Sequence, residues 1–91
     1  MMINVKKVGE SSYEVAVNAA TVTMHTVTLS PSYYQKLTNG RVPAEALIQK
    51  SFEFLLEREP NTSILSSFDL QVISRYFPEY ERTIGNMLSN T

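Results

Sequence analysis

Residues 25–59 read HTVTLSPSYYQKLTNGRVPAEALIQKSFEFLLERE, and the fold turns on them. The first five residues put β-branched and apolar side chains at alternate positions, the mark of a strand with one wet face. Ser30-Pro31 then starts a helix, serine as N-cap and proline at the first helical position, where its missing N–H costs nothing. Asn39-Gly40 stops that helix, and Pro43 opens a second and longer one.

Around a helical wheel, Ala44, Leu47, Ile48, Ser51, Phe52, Phe54, Leu55 and Leu56 cover an arc of about 200°, whereas a helix resting on one sheet needs only somewhat more than about 100°. The surplus calls for a second contact surface: the C-terminal helices, a second subunit, or both. The expected partner face comprises Leu47, Ser51, Phe54 and Leu55.

Upstream, residues 2–8 and 13–18 alternate apolar and polar side chains about the turn Gly9-Glu10-Ser11-Ser12, which predicts a hairpin. A third strand, 22–29, follows a turn at Asn18-Ala19-Ala20, with Val27 and Leu29 facing inward. Downstream, Pro60 ends helix 43–58. Helices are predicted at 31–39, 43–58, 63–77 (as one helix or two, with Asp69 a candidate cap) and 79–88. The expectation is a single α+β domain over residues 1–91: an antiparallel sheet of about three N-terminal strands, covered on one face by three to four helices.

The chain has 91 residues, net charge −1, one histidine and no cysteine. Disulfides and thiolate metal sites are therefore excluded, and a histidine-based zinc cluster lacks ligands. No cofactor is implied. A chain of this length buries only roughly two thirds of its unfolded surface, so self-association is the expected support. No apolar run reaches the roughly 18–20 residues that span a bilayer, and MMINVKKVGESS has no signal-peptide core. The reading is a soluble, cytoplasmic protein without a membrane partner.

Catalytic signals are sparse. His25 reads as a hydrogen-bonded strand residue, and no nucleophile elbow or phosphate-binding glycine motif is present. Glu53, Glu57 and Glu59 read as a solvated helix end beside Arg58. RYFPEYER, residues 75–82, reads as a packed corner broken by Pro78. The first functional expectation is thus a non-enzymatic domain acting through homodimer contacts or an unidentified protein partner.

HTVTLSP, followed by Gly40-Arg41 and Pro43, resembles the ribbon-helix-helix unit of small bacterial DNA-binding regulators. The resemblance implies a two-stranded ribbon shared by two subunits and laid in the major groove. Met24, Thr26 and Thr28 would then face bases, with Lys36 and Arg41 toward phosphates. That is the alternative expectation, a transcriptional regulator, and it brings nucleic acid in as a partner. It requires strand 22–29 to pair across a two-fold axis, since the groove admits two strands and not a wider sheet. SFEFLLEREPNTSIL and FDLQVISRYFPEYE also resemble runs in a group of small bacterial proteins of unassigned function, a likeness that implies no site.

Overall fold

The computed structural model describes residues 2–89. Three antiparallel strands come first: β1 (Met2–Lys7), β2 (Ser12–Asn18) and β3 (Val22–Thr28). Two helices follow, α1 (Pro31–Thr38) and α2 (Ala44–Leu56). The chain then makes a 3₁₀ turn (Asn61–Ser63), a short strand β4 (Ser67–Asp69), a second 3₁₀ turn (Leu70–Val72), and helices α3 (Ile73–Tyr76) and α4 (Tyr80–Ser89). The fold is α+β, as expected, with sheet order β1-β2-β3-β4.

The local signals act as read. Ser30 caps α1 by accepting the Tyr33 amide, and Asn39 and Gly40 close the helix with positive φ, where glycine carries no Cβ penalty. Val15 and Val17 of β2 and Val27 of β3 turn inward and are fully buried. Every second residue points outward, so the opposite face of the sheet is bare.

The helix expected over 63–77 is corrected. Only Ile73–Tyr76 is α-helical there; Ser67–Asp69 forms a fourth strand, parallel to β3 and in register Val27↔Phe68. Ser66 and Ser67 are poor helix formers, and Asp69 caps the next 3₁₀ turn through the Gln71 amide. The pairing supplies what helix propensity does not: Ser66 C=O accepts the Thr26 N–H, which would otherwise lie unpaired on the edge of β3.

Helix α2 is the hub. On one side Phe52 meets His25 of β3 and Phe68 of β4, with ring centroids 5.4 and 6.1 Å apart. On the other, Phe54 packs edge-on to Tyr80 and Phe77, at 5.3 and 5.9 Å. Ser51 and Tyr80 share a buried hydroxyl–hydroxyl bond of 2.6 Å, while Ser51 also donates to Leu47 C=O. Arg58 closes this seam, stacking on Phe54 at 3.6 Å and donating to Glu79. The surplus apolar arc of α2 is therefore covered by the chain's own C-terminal helices.

Phe54→Ala should cost about 3–5 kcal/mol in urea unfolding, since the cavity left lies between two helices. Ser51→Ala strands the Tyr80 hydroxyl and should cost about 1–3 kcal/mol. Equal, negligible losses would show that α4 does not seal α2.

Burial pushes the phenols of Tyr13, Tyr33 and Tyr80 above their ordinary value of 10.0, and for Tyr33 a hydrogen bond to Glu81 adds to it. The folded state thus resists losing these protons and the unfolded chain does not. Their contribution is complete below pH 10 and declines as pH rises past it. Denaturant midpoints measured upward from pH 9 should fall beyond pH 10, and less steeply in a Tyr33→Phe, Tyr80→Phe variant.

Candidate functional site

Between the end of α2 and the segment carrying β4 and α3, the surface opens into a recess of about 190 Å³. Leu55, Ile64, Phe68, Ile73 and Phe77 form its apolar lining, with Leu65, Val72 and Tyr76 completing the wall. Glu59 and Ser63 supply the polar side chains. Leu65 and Tyr76 are large apolar residues left 47% and 67% exposed at this site, a cost in water that the chain does not offset internally.

The wall is held in place by a buried polar chain. Asn61 donates through Nδ2 to Thr21 C=O at 2.8 Å and to Thr23 Oγ1 at 2.9 Å. Having accepted that bond, the Thr23 hydroxyl gives its one proton to His25 Nε2, 2.9 Å away. His25 Nδ1–H then donates to Leu65 C=O at 2.7 Å. One tautomer satisfies every member. His25 and Asn61 are both buried, so the chain fixes the residues just before β4 against β3 from two points. His25 accordingly positions the pocket wall, and both its ring nitrogens are engaged.

The volume decides what the recess can take. Small-molecule sites run to roughly 300–1,000 Å³, whereas a cavity of about 150 Å³ admits one benzene ring. This recess suits a single large side chain. Among the described residues, no group of three or more His, Asp or Glu side chains is arranged to hold a metal ion. No described helix is long and apolar enough to cross a membrane.

The expected partner face is corrected. Leu47, Ser51 and Phe54 are fully buried and Leu55 nearly so. Tyr80 of α4 covers Ser51 and Phe54, and only Leu55 reaches the recess, as part of its wall. Met24, Thr26 and Thr28 share the open face of the sheet, but Thr28 donates to Asp69 and Thr26 stands across from Glu14. Lys36 lies on α1, ion-paired with Glu81, and Arg41 sits exposed after α1. Strand β3 pairs within the chain, with β2 along its length and with β4 at residues 26–28. The two-stranded ribbon therefore does not form from β3 in this sheet.

Leu65 and Tyr76 were both legible as apolar residues, but as core positions of one or two helices over 63–77. Only the strand break between them turns both toward solvent. No protein-family model matches the chain, and no curated protein or solved structure matches it.

Asn61→Ala should cost about 1–3 kcal/mol, because it removes two part-buried hydrogen bonds, to Thr21 C=O and Thr23 Oγ1, each worth about 0.5–1.5 kcal/mol. Amide exchange of Ile64 and Phe68 should quicken more than that of Val15 and Val17. A uniform change across the sheet would refute a local tether.

Proposed function

We propose that this domain is a non-enzymatic interaction module that seats one large apolar side chain of a partner protein in the recess between α2 and α3. The observation that carries the reading is the pairing of an apolar hole of about 190 Å³ with two exposed flanking residues, Leu65 and Tyr76. Interface hot spots have this form: an anchor in a pocket, ringed by aromatic and apolar contacts. Glu59 at the recess favours a partner with a basic residue beside its anchor, since an opposite charge there meets a partly desolvated carboxylate. The recess seats one side chain, whereas each side of a stable interface buries roughly 800 Å². It supplies the anchor point, and the surrounding surface of α3 and the β4 segment supplies the remainder.

Random peptides selected on the immobilised protein should share a Phe, Leu or Ile anchor with Lys or Arg close by. Leu65→Asp and Tyr76→Asp, both at exposed positions, should weaken such peptides tenfold or more, about 1.4 kcal/mol or above. Val72→Trp, which fills the recess, should do the same. Selected peptides without an apolar anchor, or unchanged affinity in all three variants, would overturn the proposal.

A further inference from the structure

The sheet has two ends, and the chain treats them differently. At the β4 end the edge strand is three residues long and runs directly into a 3₁₀ turn capped by Asp69, which leaves little edge to pair. At the β1 end the edge strand is six residues long, contains no proline, and among the described residues pairs only with β2.

Which of its backbone groups are free follows from alternation. The Val8 N–H donates to Ser12 C=O, so even-numbered residues of β1 direct their N–H and C=O toward β2. Leu29 N–H donating to Ser11 C=O gives the matching phase on the other side of β2. The N–H and C=O groups of Ile3, Val5 and Lys7 therefore line the open edge. The side chains of Ile3 and Val5 point to the core face, packed against the core and only half-buried.

We propose that this edge takes β1 of a second copy of the chain, antiparallel about a two-fold axis at Asn4, giving one continuous sheet of eight strands. In this register Ile3 bonds to Val5 of the second copy and Val5 to its Ile3, two hydrogen bonds per pair. Register within each chain is Ile3↔Val17 and Val5↔Val15. Each core-face row then runs Val17, Ile3, Val5, Val15 without a polar break, and it covers the half-exposed flanks of Ile3 and Val5.

Charge selects the same register. Lys6 stands opposite Glu14 within its own chain, and in the pair it falls across from Met2 of the second copy. The two Lys6 residues lie four positions apart along the strands, roughly 14 Å at strand rise. That exceeds the screening length of about 8 Å at physiological salt. The lysines guard the edge against piling up of further strands and do not oppose this pair.

The bare face of the sheet is the competing surface for a second copy. Its large apolar residues are Met2, Val22 and Met24, an isolated trio set beside Asn4, Asn18, Lys6 and Glu14. A patch of that size is ordinary for a monomer. The edge, by contrast, leaves strong backbone donors and acceptors in a row. The edge pair stands apart from the pocket at the β4 end, and each can fail without the other.

Light scattering after gel filtration, run from submicromolar to submillimolar protein, should show the mass rise from 10.3 kDa to twice that value. Ile3→Pro deletes an edge-facing N–H and no β1–β2 bond, so it should hold the mass at the monomer value. Met24→Asp, on the bare face, should leave the doubling intact. In the unaltered chain, amide exchange at Ile3 and Val5 should slow at least tenfold as concentration rises, with Asn4 and Lys6 protected throughout. This readout needs no variant to fold. A mass fixed at 10.3 kDa, doubling lost in Met24→Asp but kept in Ile3→Pro, or edge amides indifferent to concentration would each overturn the proposal.

Discussion

A run of part-buried hydrogen bonds between β3 and the segment before β4 is the constraint on which the distal half of the molecule depends. Asn61, Thr23, His25 and the Leu65 carbonyl satisfy one another in sequence, and a missing member would leave a desolvated polar group. Because both ends of the run are fixed, the chain between Asn61 and Leu65 has little choice of path. It delivers Ser66 to the Thr26 amide and Phe68 to Phe52. The wall of the recess follows from that delivery.

Helix α2 performs the other half of the organisation. Its wide apolar surface serves two packing partners, the sheet on one side and α4 on the other. The seam with α4 is apolar in its middle and polar only where it must be, at the Ser51–Tyr80 hydroxyls and at Arg58 over Phe54. The middle of its apolar arc is thus covered within the chain, and Leu55 is left at the wall of the recess.

The first half of the chain was legible because its signals are local. Alternation in residues 2–8, 13–18 and 22–29, the Ser30-Pro31 start and the Asn39-Gly40 stop each act over a few residues. The width of the α2 face was legible too, along with the need for a second partner. That α4 would be that partner was not, because a wheel shows how much surface must be covered and not by what. The misread segment, 63–77, has helix-like apolar spacing at Ile64, Leu65, Phe68, Val72 and Ile73. Its actual path is imposed by His25 and Asn61, distant in sequence, and by an unpaired edge of β3 that only the assembled sheet possesses. The recess inherits that illegibility, since it exists only where the helix breaks.

The parallel pairing of β3 with β4 has a kinetic side. Strands β1 to β3 meet through short turns, whereas the bond from His25 to Leu65 joins residues 40 apart in sequence. Closing a loop roughly ten times longer than a hairpin turn costs about 2 kcal/mol more chain entropy. The three-stranded meander can gain its contacts before that cost is met, so the stretch that forms the recess docks after it. Such late-docking segments are also the first to open in native proteins, with free energies below that of global unfolding. Closure cost thus argues for a recess wall that loosens and reseats while the three-stranded meander stays folded.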